Sequence, residues 1–416
     1  MKRLLLLLVV VALPAPGCDV FLSSGNPPCW YDEDCAEDQA CAAGVCVHCI
    51  PEGELPAQSP AIPANVVRLA DCSFSFPSPA GSLKQSFACA VADASSVTAI
   101  TPVFFQASES GKFETVPNAN IPFDSMIKDI ELGLTYLSAD RPFEYVISTE
   151  NDLYHWTERQ IDPLQKIINN SPPLPDALLA ASAERDFLAA ASNNDLLLLT
   201  TPLAPQDPVE VSVRCDLPAP ATALALRTIP GGNFLSMIVS SPSFGGAGID
   251  EFFFEDYTQI ATCGQPRPVD NNFDPQQGVH ALSVSHGGVL LAAVLTHPGN
   301  DEEILRVYAD HEGNWSELFT VDGTYASVAF SPVERDAWVL AAGRKDGMIE
   351  FFEVDEDPEG PDVVPFLVLD ALANDGSVID KKIQQVVFSP DGRLLAVVSD
   401  RFIKIYPTLG ITHGDR

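Results

Sequence analysis

Internal repetition is the feature that most constrains how this chain folds. The clearest unit lies near the C-terminus: an apolar segment begins at Ile383, a turn follows at Pro390-Asp391-Gly392, and an alternating segment runs from Ile403 to Tyr406. Proline presets φ and glycine accepts a positive φ in such turns. Alternation with a period of two is expected for a β-strand. The unit is therefore predicted to be a series of strands joined by turns.

Further copies of this unit occur upstream. Their spacings are 44, 47, 56, 46 and 58 residues when they are anchored at Ser138, Ser182, Ile229, Ser285, Ser331 and Ser389. Residues 176–191, rich in alanine and leucine, have the composition of a helix. However, Ser182 and Ser192 are ten residues apart, as are Ser389 and Ser399, so we expect strands there.

These units resemble the WD-repeat family of β-propellers, in which a repeat of ~40–45 residues forms one four-stranded blade. The segments that begin at Asp346 and Asp400 follow the third-strand pattern of that family. Tyr308, Phe352 and Tyr406 stand where the family has tryptophan, so its internal Asp-His-Ser-Trp network cannot form in full. We therefore predict that Asp346 and Asp400 serve as turn formers.

The predicted fold is all-β. Six units over residues 138–416 leave residues 62–137 for one more, which predicts a propeller of about seven four-stranded blades over residues 62–416. The final unit ends soon after its third strand, so we expect its fourth strand to come from about Asn65 to Leu69. Closing the ring in this way removes exposed sheet edges.

The N-terminus has the pattern of a targeting segment. Lys2 and Arg3 precede an apolar run that is shorter than the ~20 residues of a membrane-spanning helix. The following Ala15-Pro16-Gly17-Cys18 resembles the lipobox of bacterial lipoproteins. The resemblance implies a signal peptide at 1–17, lipidation of Cys18, a tether at 18–28 and anchoring in the bacterial envelope, at the outer membrane or cell surface. Ordinary signal cleavage nearby is the alternative.

A cluster of cysteines follows the tether. Five cysteines occur within 21 residues: Cys29, Cys35, Cys41, Cys46 and Cys49. Such density in an exported chain predicts a disulfide framework, and residues 29–49 resemble small cysteine-rich modules near the N-termini of myxobacterial surface proteins. A zinc site at Cys46-Val47-His48-Cys49 is the alternative, but it needs reduced thiolates. Residues 50–61, rich in Pro, Ala and Glu, are predicted to be a linker.

Four further cysteines lie in the predicted propeller. Cys72 with Cys89, and Cys215 with Cys263, are candidate disulfide pairs if their strands are neighbours. Nine cysteines remain after Cys18, an odd number, so one thiol is expected to be free or to bridge to another chain.

The net charge of −34 argues against nucleic acid as a partner, because a polyanion gains no counterion release by binding another polyanion. It leaves open divalent cations or a basic protein partner. Acidic stretches at 301–303 and 353–362 do not follow the EF-hand pattern.

No catalytic motif accompanies the repeats. His280, His286, His297 and His311 fall within one predicted blade, but their spacing matches no metal motif. The chain also has no Gly-x-Ser-x-Gly, P-loop or dinucleotide-binding context. The prediction is a chain that is not an enzyme and carries no cofactor.

The leading hypothesis is a membrane-anchored scaffold that recognises a protein partner through the loop faces of an acidic propeller. One alternative is a propeller enzyme, such as a calcium-dependent lactonase, a hydrolase or a dehydrogenase-like protein. A channel lined only by apolar or small residues would dismiss it. A second alternative is a lipoprotein subunit of an envelope assembly complex. Fold alone does not decide among them.

Overall fold

The computed structural model is all-β, with no helix in the part of the chain that it describes. No helix there is long and apolar enough to cross a membrane. The described residues are 39–42, 45–50, 59, 66–74, 86–93, 100–107, 113–115, 127–132, 144–157, 164–166, 173–182, 187–200, 210–228, 234–243, 246–254, 263–270, 278–296, 303–311, 313–333, 337–355, 364–371, 382–390, 392–399 and 402–408.

The strands form seven sheets, which we number in chain order. The first sheet is β3(Val66–Phe74), β4(Ser86–Asp93), β5(Ile100–Ala107) and β6(Phe113–Thr115), and the second is β7(Ile127–Leu132), β8(Glu144–Thr149), β9(Leu153–Thr157) and β10(Leu164–Lys166). The third is β11(Leu178–Ala181), β12(Phe187–Ser192), β13(Asp195–Thr200) and β14(Glu210–Asp216), and the fourth is β15(Ala223–Thr228), β16(Leu235–Ser243), β17(Gly246–Phe254) and β18(Arg267–Pro268).

The remaining sheets follow the same order of strands. The fifth is β19(Val279–Val284), β20(Leu290–Thr296), β21(Glu303–His311) and β22(Asn314–Gly323), and the sixth is β23(Tyr325–Phe330), β24(Trp338–Arg344), β25(Met348–Val354) and β26(Leu367–Asp370). The seventh has three described strands, β27(Ile383–Phe388), β28(Leu394–Ser399) and β29(Ile403–Pro407).

The first strand of each sheet lies innermost, and these seven strands form a closed ring. Each contacts the first strand of the next sheet, and the ring closes where β27 contacts β3. This arrangement is a β-propeller, as predicted from the repeats.

The predicted number of complete blades is wrong. Six sheets have four propeller strands and the seventh has three among the described residues, so the structure has six four-stranded blades rather than seven. The strand expected to complete the last blade, at Asn65 to Leu69, falls largely within β3, which pairs with β4. It therefore begins the first sheet instead of completing the seventh.

The core lies between neighbouring sheets. The last strand shows why: Ile403 and Ile405 pack on Phe74 and Phe87 of the first sheet, whereas Tyr406 packs toward the sixth. The alternation predicted for this strand is confirmed, and both of its faces are buried. Equivalent apolar clusters fill the other described junctions, from the second sheet to the seventh.

The repeat serines sit in the turns between first and second strands. The Oγ atoms of Ser182, Ser285 and Ser389 accept hydrogen bonds from the backbone N–H groups of Phe187, Leu290 and Leu394 at 3.2, 3.1 and 2.9 Å. Gly392 has the positive φ predicted for its turn, at 67°. The alanine-rich segment forms β11 and β12, so the prediction of strands there is confirmed.

A short hairpin from the cysteine-rich segment extends the sixth sheet to six strands. Its strands are β1(Gln39–Ala42) and β2(Val45–Ile50), and β2 pairs in parallel with β26, with Cys49 opposite Val368 and Ile50 opposite Leu369. The backbone of the cysteine-rich segment is thus held against the outer edge of a blade.

Candidate functional site

A central cavity of about 300 Å³ lies inside the ring of inner strands. All seven inner strands contribute residues to its wall, mainly from their C-terminal halves and from the turns that follow, such as those at Ser182, His286, Pro332 and Pro390. We call this end of the ring, which carries the connections between first and second strands, the turn face. The cavity therefore lies at the turn face.

The wall is mixed in polarity. Apolar side chains such as Leu226, Phe330 and Phe388 alternate with Glu131, Gln385 and several hydroxyl groups. Because Glu131 and His286 are on this wall, the cavity is not lined only by apolar or small residues.

Two polar atoms on the wall have no hydrogen-bond partner in the described part of the protein, the Oγ1 of Thr228 and the Nδ1 of His286. Both atoms are buried. Leaving a buried polar group unsatisfied typically costs about 1–3 kcal/mol. They belong to neighbouring inner-strand ends, since Thr228 ends β15 and His286 lies in the turn after β19.

The turn that carries His286 packs closely against the end of the neighbouring inner strand. Gly288 donates its backbone N–H to the carbonyl oxygen of Ser285 at 2.8 Å and has a φ of 71°. A Cβ at this glycine would lie 3.0 Å from Cγ of Arg227 and 3.1 Å from the carbonyl oxygen of Thr228. The turn therefore rests directly on the end of β15.

Arg227 is in turn fixed by a buried ionic cluster. Its guanidinium donates to Glu251 at 2.8 Å and also to Asp310 of the fifth sheet, and all three side chains are buried. Glu251 also accepts hydrogen bonds from Ser236 at 2.6 Å and from the indole N–H of Trp315 at 2.9 Å. One cation facing two carboxylates leaves a net negative charge behind the cavity wall.

The turn face also carries exposed apolar side chains. Phe234 is 40% exposed and Val333 is 39% exposed, and each lies between the first and second strands of its sheet. The ring of Phe234 stacks on Phe253 with a centroid distance of 5.7 Å, and the guanidinium of Arg267 lies 4.6 Å from the Phe253 centroid. Both exposed apolar side chains lie at the same end of the ring as the cavity.

Both predicted cysteine pairs of the propeller have their members close together. Cys215 of β14 and Cys263, in the segment before β18, form a disulfide that joins the third and fourth sheets. Cys72 is disulfide-bonded, and Cys89 lies opposite it in the neighbouring strand. The predicted sites at Cys18, Cys29 and Cys35 lie outside the described residues. Cys41, Cys46 and Cys49 are described only as backbone, with Cys41 opposite Cys46 in the hairpin.

The other candidate residues are dispersed. The Nε2 of His280 lies 2.5 Å from the Oγ1 of Thr296, His311 is exposed at the end of β21, and His297 lies outside the described residues. Asp346 accepts a hydrogen bond from the backbone N–H of Met348, which confirms its role as a turn former, whereas Asp400 is not among the described residues. The described residues include no group of three or more His, Cys, Asp or Glu that could hold a metal ion.

Thr228, Phe234 and Glu131 were not predicted as functional residues. Thr228 ends one inner strand and His286 follows the next, so the repeat spacing could place both residues at the same end of the ring. The exposure of Phe234 leaves no such signal, because the apolar residue after a turn usually begins a buried strand.

Comparison with known proteins identifies the fold and not the family. No protein-family model and no curated protein matches the sequence. Among solved structures, the chain resembles one from the "Crystal Structure of Mitotic Checkpoint Complex", with a TM-score of 0.53 and 13% identity over 86% of this chain and 95% of that one. It also resembles the Kuenenia stuttgartiensis hydrazine synthase, with a TM-score of 0.52 and 11% identity over 83% and 97%.

A third similar structure is Sqt1 of Chaetomium thermophilum, with a TM-score of 0.49 and 16% identity over 82% of this chain and 81% of that one. The ring of sheets described above makes the chain a β-propeller. At these identities the likeness extends to the fold alone.

Proposed function

We propose that this chain is an exported, membrane-anchored binding scaffold of the bacterial envelope, and not an enzyme. It recognises a protein partner through the turn face of its acidic propeller. The observation that carries the proposal is the exposure of Phe234 and Val333 on the face that holds the central cavity.

The turn face has the components of a protein-recognition surface. Interface energy is concentrated in a few residues, among which aromatic side chains and arginine are enriched. Phe234, Phe253 and Arg267 form such a group at the rim of the fourth sheet. The buried ionic cluster beneath the adjacent turn fixes the surface before binding, which lowers the entropic cost of association.

The resemblance of the N-terminal segment to a lipoprotein signal supports anchoring and export. Cys18 in a lipobox-like segment supplies the membrane attachment, and the cysteine-rich segment with its linker connects the anchor to the propeller. The net charge of −34 favours a partner with a basic surface over nucleic acid.

The test is affinity capture of the tagged, lipidated protein from gently solubilised native membranes. Wild type is compared with Phe234→Ser and with Thr324→Ala, which changes an exposed residue between the fifth and sixth sheets, at the opposite end of the ring. We expect a companion protein that co-purifies in stoichiometric amounts with wild type and with Thr324→Ala but not with Phe234→Ser. Repeated recovery of the protein alone, or a companion retained equally by Phe234→Ser, would overturn the proposal.

A subunit of an envelope assembly complex is the narrower form of the same proposal. It predicts that the companion is an integral outer-membrane protein and that other lipoproteins are captured with it. A soluble companion would leave the general scaffold in place and exclude this narrower form.

An enzyme is the second candidate, because Glu131 and His286, both side chains capable of acid–base chemistry, line one cavity. This candidate predicts hydrolysis of a lactone or ester panel in the presence of calcium, with the activity lost in His286→Asn. Equal rates for wild type and His286→Asn would exclude it.

A further inference from the structure

We propose that the central cavity holds one cationic side chain, lysine or arginine, of the protein partner. Its N–H groups donate to the Oγ1 of Thr228 and the Nδ1 of His286, and the carboxylate of Glu131 balances its charge. The inference rests on the proposed function, since it names the chemistry of the partner that the turn face recognises.

The two wall atoms without a hydrogen bond favour a polar occupant, and the charge around the cavity decides between a donor and an acceptor. Thr228 Oγ1 and His286 Nδ1 lie at the ends of consecutive inner strands and both can accept a hydrogen bond. Lysine and arginine side chains are pure donors, so an ammonium or guanidinium placed between the two atoms would satisfy both. Buried polar groups in native proteins nearly always have a partner.

The charge around the cavity selects a cation. Glu131 is the only carboxylate among the described lining residues, and none of these is lysine or arginine. The nearby Arg227 is outnumbered by Glu251 and Asp310, so the buried cluster behind the wall is also negative. The whole chain carries −34. An acidic side chain in the cavity would meet repulsion from each of these sources.

The volume limits the size of the occupant. A cavity of about 300 Å³ is at the lower end of the range of roughly 300–1,000 Å³ for ligand sites. It suits a single long side chain, whose backbone would remain at the turn face beside Phe234 and Val333. This arrangement joins the charged cavity and the exposed apolar side chains in one site.

The test uses four end-blocked pentapeptides of the form Gly-Gly-X-Gly-Gly, with lysine, arginine, norleucine or glutamate at X, titrated calorimetrically into the full-length protein. We expect the lysine or arginine peptide to bind at least tenfold more tightly than the norleucine and glutamate peptides. Thr228→Val, which keeps the side-chain shape, and Glu131→Gln should each weaken that binding at least fivefold. Asp322→Asn, which removes an exposed carboxylate from β22, should leave it unchanged.

Thermal unfolding of each variant separates lost binding from lost folding. Equal affinity for all four peptides, or tighter binding of the glutamate peptide, would overturn the inference. The capture experiment separates it from the proposed function. A companion that is lost with Phe234→Ser but retained with both Glu131→Gln and Thr228→Val would leave the scaffold in place and exclude the cation site.

Discussion

The side chain of Gln385 accepts a hydrogen bond from the backbone N–H of Cys72 at 2.8 Å, across the junction between the last and the first sheet. The innermost strand of each sheet has backbone groups that face the axis of the ring and have no further strand to pair with. Side chains of the neighbouring inner strand form hydrogen bonds with several of these groups. The same kind of bond joins Asp129 to Leu179 N at 2.6 Å, Ser283 to Phe330 N at 3.0 Å and Ser327 to Val386 N at 3.2 Å. The ring is therefore linked by side chains at its centre, including the point where it closes.

Gln385→Met should weaken this closure. The substitution keeps the length of the side chain but removes the acceptor, which leaves the N–H of Cys72 without this bond and costs about 1–3 kcal/mol. We expect a lower thermal midpoint together with faster amide exchange in β3 and β27. Ser212→Ala, at an exposed position of β14, is the control and should change neither. Unchanged exchange in β3 would show that apolar packing alone closes the ring.

The disulfide between Cys215 and Cys263 should stabilise the junction of the third and fourth sheets. It closes a loop with a sequence separation of 48 residues, and a cross-link of this kind typically contributes about 2–4 kcal/mol by restricting the unfolded chain. The double variant Cys215→Ser, Cys263→Ser is expected to unfold at lower urea concentration under oxidising conditions. If wild type and the double variant unfold at the same urea concentration, the apolar packing between these sheets is sufficient and the disulfide adds no stability.

Gly288→Ala should be more harmful than Gly313→Ala. Both glycines have a positive φ, 71° and 87°, so each substitution incurs the backbone strain of about 1–2 kcal/mol expected for an L-residue there. Only at Gly288 would the new Cβ meet Arg227 and the Thr228 carbonyl at 3.0–3.1 Å, because the nearest atom at Gly313 is 3.5 Å away. Overpacking adds roughly 1–3 kcal/mol. Urea unfolding of both variants measures the difference, and equal losses would show that the turn moves aside without cost.

The repeat pattern predicted the propeller because residues close together in the sequence determine the turns and strands of each unit. Ser389, Pro390 and Gly392 specify the turn, and the alternation from Ile403 to Tyr406 specifies the strand, without reference to distant residues. The spacing of Ser182 and Ser192 predicted strands in a segment whose composition alone favours a helix. Spacing was therefore more informative than composition.

The closure of the ring and the site depend on contacts that the sequence does not encode locally. Residues from Asn65 to Leu69 form an apolar strand pattern whether they begin the first sheet or complete the last, and only pairing with β4 distinguishes the two. Arg227 and Asp310 meet although 83 residues separate them, and Thr228 and His286 share a cavity only because their sheets are neighbours.

A buried carboxyl gives the sixth sheet its own pH dependence. Glu350 is 1% exposed, and it accepts hydrogen bonds from the hydroxyl of Tyr325 at 2.6 Å and from Arg344 at 2.7 Å. Burial raises the pKa of Glu350 above its ordinary value of 4.5, against the opposing pull of Arg344 and Tyr325. The folded protein therefore holds this proton to a higher pH than the unfolded chain does.

Glu350→Gln should reveal that dependence. With a raised folded-state pKa, the contribution of Glu350 to stability is fully present below pH 4.5 and is lost as the pH rises through the folded-state pKa. Glutamine does not titrate, so the variant should gain stability relative to wild type as the pH is raised from 4 to 8. Urea unfolding at each pH measures the difference, with Asp322→Asn, at an exposed carboxylate, as the matched control. Parallel stability profiles for wild type and Glu350→Gln would mean that Arg344 and Tyr325 offset the burial of the carboxylate completely.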